Sequence, residues 1–481
     1  MQPLCSRRHF LYTGAFGLST LGLSNLLERD GLLAAPAKPP LEPPHFDLLP
    51  KAPPQVARAK AMISIFLIGG PSQIDLFDYK PRLKELDGQD FPGEVRYDNP
   101  AQASTKVLGP ISTFKRYGQS GMEMSELLPH IGGVADDICL IRSMHTGVNN
   151  HIPSMRALNS GMAVPGRAAL GSWLTFGLGS ESQNLPSFVA MTDPRGLPQQ
   201  AGENWANGQL PSIYQGTVAR PQAPHILNLD PPEFLKGAPQ QAQLALLREL
   251  NQEHAAERAG ESDLQARMAS YELAARMQLA AKDAFDVSQE TRETQDLYGI
   301  HNPETANYGT RCLIARRLVE RGVRFVQLWN NGQSWDHHGG IRQDLPARCR
   351  EVDQPSAALV ADLKRLGLLD STVVHWGGEM GRLPVVQSPP GTPPKKVGRD
   401  HNTYGFSMWV AGGGFKGGHM HGQTDEFSHH AVENIVTHND WLTTLLHQFG
   451  LDEPHLVFKN SNRELTLLDG RAGKVVGEII A

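Results

Sequence analysis

Short apolar runs recur along the chain. The first, Ala61-Met62-Ile63-Ser64-Ile65-Phe66-Leu67-Ile68, ends at Gly69-Gly70 and predicts a strand buried on both faces. Similar runs at Ile138–Ile141, Ser187–Met191, Val323–Leu328, Thr372–Trp376 and Phe406–Ala411 predict further strands. Between several of them the apolar positions take a helical period, at Tyr308–Glu320, Asp353–Leu366 and Val432–Phe449. Strands alternating with helices predict an α/β fold, a mainly parallel sheet sandwiched by helices. In such sheets functional groups collect beyond the carboxyl ends of the strands.

Three stretches break this rhythm. Residues 232–296 are rich in Ala, Gln, Glu, Arg and Leu and poor in β-branched residues. They predict two helices, 241–257 and 262–285, forming an inserted hairpin that carries no obvious chemistry of its own. The stretch from Pro36 to Pro54 also holds Pro39, Pro40, Pro43, Pro44, Pro50 and Pro53, and reads as an extended linker over 38–56. The N-terminus carries Ser6-Arg7-Arg8-His9-Phe10-Leu11, a moderately apolar stretch from Tyr12 to Leu27, and the small-residue site Ala35-Pro36-Ala37. This order of basic, apolar and cleavage regions resembles a twin-arginine (Tat) signal peptide over residues 1–37. It implies the Tat machinery as a partner and an extracytoplasmic, periplasmic location. One domain is then expected over 57–481.

Composition narrows the classes. The 481 residues are 40% apolar and 20% charged, enough for an ordinary core. Forty-five basic against 50 acidic side chains give a formal charge of −5 with no long basic run, which argues against a nucleic-acid partner. Beyond the N-terminus there is no apolar stretch of the ~18 residues that a membrane span needs, so no transmembrane anchor is expected in the mature chain. Of the four cysteines, Cys5 lies in the leader. The odd number left excludes a fully paired disulfide framework, and Cys139, within Ile138–Ile141, reads as a core thiol.

The histidines are unevenly placed. Eleven of nineteen fall in the last 151 residues, in glycine-rich segments beside acids. After the first strand comes Gly69-Gly70-Pro71-Ser72-Gln73-Ile74-Asp75, where Asp75 either caps a turn or reaches a metal. After the strand Val323–Leu328 comes Trp335-Asp336-His337-His338, a carboxylate and imidazoles of the kind that bind Zn, Mn or Fe. After Thr372–Trp376 comes Gly377-Gly378-Glu379-Met380-Gly381-Arg382. Glu379 is placed to bind a cation, and Arg382 either pairs with it or holds an anionic substrate in its planar fork. Asp400-His401 precedes Phe406–Ala411, and His419-Met420-His421 follows it.

The segment from His151 to Gly161 aligns with the sulfatase signature C-x-P-S-R-x-x-L-x-T-G through Pro153, Ser154, Leu158 and Gly161, with Ser160 in place of Thr. His151 stands where sulfatases carry the cysteine that becomes formylglycine, and Met155 stands where they carry arginine. Formylglycine cannot form from histidine. His151 is therefore read as a general base or a metal ligand.

Taken together, Gly69–Asp75, Trp335–His338, Glu379–Arg382, Gly398-Arg399-Asp400-His401, His438-Asn439-Asp440 and Cys312–Val323 resemble the DUF1501 family, over about residues 57–455. Met380 replaces the more usual Phe, and His337 the more usual Thr, which adds a possible ligand. The family is grouped with the alkaline phosphatase/sulfatase superfamily. The resemblance implies an alkaline phosphatase-like fold with one or two divalent ions (Zn, Mn, Ca or Mg) and an anionic phosphate or sulfate ester as substrate. On this reading Asp75, Asp336, His338, Glu379 and His401 hold the metal, and His151 and Arg382 act in catalysis, with Arg399 as a second candidate to steady negative charge. The rival expectation is a non-catalytic metal-binding or structural module of the cell envelope.

Overall fold

The computed structural model describes residues 46–97, 103–256, 262–388, 391–460 and 463–481. The signal peptide expected over 1–37 lies outside these residues, as does the first part of the linker expected over 38–56.

Among the described residues, nine strands form the central sheet. They are β1 (Ala61–Phe66), β2 (Ile138–His145), β3 (Phe188–Met191), β4 (Thr217–Ala219), β5 (Phe325–Trp329), β6 (Thr372–Gly377), β7 (Phe406–Ala411), β8 (His419–His421) and β9 (Val436–Thr437). Their order is β8-β2-β7-β6-β1-β5-β3-β4, with β9 also pairing β2. β1 runs parallel to both β5 and β6, β3 is parallel to β5 and β4, and β8 and β9 are parallel to β2. β7 runs antiparallel to its two neighbours, β2 and β6. The sheet is thus mainly parallel, and helices flank it, as the apolar pattern predicts.

The strands read as continuous apolar runs because each face of the sheet covers its own core. Ile63 and Ile65 of β1, Val326 and Leu328 of β5, and Val374 and Trp376 of β6 enter one core. That core is closed by α5 (Ala306–Glu320) and α6 (Ile341–Arg365). Met62 and Phe66, Phe325 and Trp329, and Val373 enter the other, beneath α1 (His151–Ser160), α2 (Leu170–Leu178) and α7 (His438–Gln448). The hairpin helices are α3 (Ala238–Ala256) and α4 (Ser262–Phe285). α3 buries no residue, whereas α4 docks Met277, Ala281, Ala284 and Phe285 on the first core. Cys139, Cys312 and Cys349 are buried free thiols.

Two helices differ from the apolar pattern. α6 begins at Ile341 and not at Asp353, passing through Pro346 and Pro355, residues that on sequence alone argue against a helix interior. The run from Val432 begins as strand, and α7 starts only after Thr437. There Thr437 and Asp440 cap each other's backbone N–H in a reciprocal box, a signal present in the sequence as Thr-x-x-Asp.

Candidate metal centre

The register places the carboxyl ends of three adjacent strands side by side: Phe66 of β1 lies opposite Trp329 of β5 and Gly377 of β6. The loops that leave these ends therefore meet. Trp335 N–H donates to Ile68 O at 3.0 Å, and Leu67 N–H donates to Gly377 O at 2.8 Å. Gly69 has φ +112°, and a side chain there would collide with the backbone nitrogen of Asp336. The close approach of the β1 and β5 loops thus requires glycine. A fourth element joins through a small ladder that pairs Arg382 with His401. The fifth, α1, points its first residue, His151, at the same place, with the Asn150 side chain accepting Ile152 N–H as its cap.

Four of the sequence-selected residues converge here. His151, Asp336, His338 and His401 each offer one donor atom, and the four atoms lie within 4.8 Å of one another. Asp336 is the hub. Its Oδ1 lies 3.0 Å from His338 Nε2 and 3.5 Å from His401 Nε2, and its Oδ2 lies 3.3 Å from His151 Nε2. The His151 and His401 rings meet edge to face with centroids 4.2 Å apart, and His338 and His401 lie at 4.6 Å. The cluster reaches solvent mainly at His338, whose side chain is 33% exposed.

Glu379 and Arg382 stand behind the donors. Oε1 of Glu379 accepts hydrogen bonds from His151 Nδ1 at 2.6 Å and from Gly69 N–H at 2.9 Å. This holds a proton of His151 on Nδ1 and aims its Nε2 at Asp336, the usual task of a carboxylate behind a metal-binding histidine. Arg382 is wholly buried. Its guanidinium donates to Asp336 Oδ1 at 2.6 Å and to the carbonyls of Gly69, Gly70, Trp335 and Arg399. Its donors face protein, so it positions Asp336 instead of lining an opening for substrate.

Asp75 is not brought into the cluster. It is fully buried and forms a bidentate pair with Arg399, at 3.0 Å and 3.1 Å, and also accepts from Ser72 Oγ and Ile111 N–H. Arg399 spends its remaining donors on the carbonyls of Leu108, Gly109 and Leu383. The pair clamps the β1 loop to the segment that carries His401. His337, the added histidine, also lies outside the group: it is buried beside Trp335, and burial pushes its pKa down to about 3. His419 and His421 lie on β8 at the edge of the sheet. Sequence reasoning missed Gln387, which pairs with Nδ1 of His338. No local motif marks it, because it comes from a separate short strand.

Charge follows this geometry. Asp336 is held far below the usual carboxylate range: burial raises its pKa, but the Arg382 charge and the hydrogen bonds of His151 and His401 more than reverse this. Burial lowers the His151 pKa, yet hydrogen bonds to Asp336 and Glu379 and the Glu379 charge raise it to about 9. Burial takes His401 down to about 4. An ionised carboxylate ringed by imidazoles, with Oε2 of Glu379 buried and lacking a hydrogen-bond partner among the described residues, fits a divalent cation.

Fold and site together define an α/β protein with a carboxylate–imidazole donor cluster at the carboxyl ends of a mainly parallel sheet. The chain belongs to the DUF1501 family, whose model, described as a protein of unknown function, matches residues 59–480. No curated protein matches the sequence. Among solved structures, the chain is similar to the PsFucS1 sulfatase from Pseudoalteromonas sp., with 12% identity over 82% of this chain and 68% of that one, at a TM-score of 0.36. The lipoteichoic acid synthase LtaP from Listeria monocytogenes is similar at 9% identity over 86% of this chain and 76% of that one, with a TM-score of 0.32. The phosphonate monoester hydrolase of Agrobacterium radiobacter is similar at 12% identity over 87% of this chain and 77% of that one, with a TM-score of 0.29.

Proposed function

We propose that the protein is an exported, metal-dependent hydrolase of phosphate or sulfate esters. The observation that carries this reading is the convergence of donor atoms from His151, Asp336, His338 and His401. A divalent cation held there would supply Lewis acidity to an ester oxygen. Asp336 contributes the fixed negative charge, and Arg382 holds it in place. Glu379 keeps Nε2 of His151 aimed into the cluster. The amino terminus of α1, a ten-residue helix, adds a positive field suited to an anionic ester. His338, the most exposed member, is where substrate would first meet the site. Purified protein should contain a divalent metal, and Asp336→Asn should lose most of it. Metal-dependent turnover on a panel of phosphate mono- and diesters and sulfate esters, abolished by Asp336→Asn, supports the hydrolase. Mass spectrometry should find the peptide containing His151 unmodified, because no aldehyde can be made from imidazole.

The inward commitment of both Arg382 and Arg399 favours a second reading, a metal-binding module of the cell envelope without catalysis. A fully metallated protein inert across the ester panel would select it. Export is tested separately. Replacing Arg7 and Arg8 with Lys should retain the precursor in the cytoplasm, and normal export of that variant would exclude the Tat route.

A further inference from the structure

A second group of donors lies on the loop between β8 and β9. Asp425, His429 and His430 each offer one atom, and the three lie within 4.8 Å of one another. None of them belongs to the centre described above. The Asp425 carboxylate organises the loop by accepting the backbone N–H groups of Phe427, His429 and His430 at 2.9–3.1 Å. That accounts for the carboxylate but not for the rings. His430 Nδ1 lies 3.5 Å from Asp425 Oδ2, and the two imidazoles sit with centroids 3.9 Å apart. His429 is only 3% exposed, and its Nε2 is buried without a hydrogen-bond partner among the described residues. Leaving a buried polar nitrogen unsatisfied is costly, so it asks for a ligand. Both rings line a cavity of about 440 Å³ shared with Glu94, Arg96 and Tyr404.

We propose that Asp425, His429 and His430 form a second, structural site for a divalent cation of the zinc class. Two imidazoles and one carboxylate are a donor set that this class prefers, with water completing the shell on the open side. Zinc–ligand bonds of about 2.1 Å put neighbouring donors roughly 3.4 Å apart. The donors must therefore draw together slightly, and the half-exposed His430 side chain is free to do so. The cation would brace this loop. Asn402, next to His401, donates its amide to the carbonyls of Gly405, Ser428 and His429, so the loop and the strand carrying His401 are already joined.

The test uses full-length, tag-free protein stripped with chelator and dialysed against Zn²⁺. His430→Ala, at a half-exposed position, should keep the fold and lose about one zinc per chain relative to wild type. Asp336→Asn should lose a different equivalent, and the two losses should add in the double variant. Zinc should also raise the wild-type Tm more than that of His430→Ala. Zinc content in His430→Ala equal to wild type overturns the proposal. So does a Co²⁺-loaded visible spectrum unchanged by His430→Ala or by His429→Gln. If Asp336→Asn keeps its zinc while His430→Ala loses one, this site stands and the reading of the first centre falls.

Discussion

Nδ1 of His151 lies 2.6 Å from Oε1 of Glu379, joining the first residue of α1 to the loop after β6 across 228 positions of sequence. The same carboxylate oxygen takes the N–H of Gly69. Glu379 therefore orients a donor while tying together two loops. Glu379→Gln should weaken metal affinity about 10–100-fold, the usual effect of removing a carboxylate behind a ligating histidine. Competition against a chelator of known affinity measures it, and an unchanged affinity would remove Glu379 from this role.

Asp75 and Arg399 make a buried pair outside the donor cluster. Asp75→Asn leaves the guanidinium without its counter-charge, so stability should fall by about 3–5 kcal/mol. Metal content per folded chain should stay at the wild-type value. Urea unfolding and elemental analysis of the same preparation separate the two effects. Metal lost from a folded Asp75→Asn protein would return Asp75 to the ligand set.

Gly69 is where backbone geometry and the centre meet. With φ at +112° and the Asp336 nitrogen against it, a methyl group has no room. Gly69→Ala should push the Asp336 loop away, lowering both Tm and metal content. Gly88→Ala is the control for backbone strain alone, since Gly88 also has positive φ but nothing near the added carbon.

Burial lowers the His151 pKa, but the hydrogen bonds to Asp336 and Glu379 and the Glu379 charge push it up to about 9 when no metal is bound, above the value of about 6.5 of an unfolded histidine. A raised folded pKa means that its contribution to stability is complete below pH 6.5 and is lost as pH rises through 9. Metal needs the unprotonated Nε2, so affinity should rise across the same window. Thermal melts of metal-free protein from pH 6 to 10 should fall, and His151→Gln should flatten that slope. A wild-type curve as flat as that of His151→Gln would contradict the assignment.

Much of this was legible in the chain. The runs at Ala61–Ile68, Thr372–Trp376 and Phe406–Ala411 mark strands because a sheet covered on both faces buries consecutive residues, and burial is written locally. The Asp336-His337-His338 and Asp400-His401 clusters stand out because acids and imidazoles concentrate beside glycine near strand ends. The helical hairpin was legible from its lack of β-branched residues.

What each side chain does in the site was not written locally. Asp75, Glu379, Arg382 and Arg399 are all charged residues in glycine-containing segments at the ends of strands, yet they take different tasks. Asp75 and Arg399 neutralise each other, Arg382 holds Asp336, and Glu379 orients His151. Sequence determined which strands exist and which segments carry charge and imidazole. Only the tertiary structure decided which donors share one space. Pairing β1 with both β5 and β6 brings loops some 300 residues apart to one edge, and at distances of about 3 Å a charge is governed by its nearest partner and not by its neighbours in the chain.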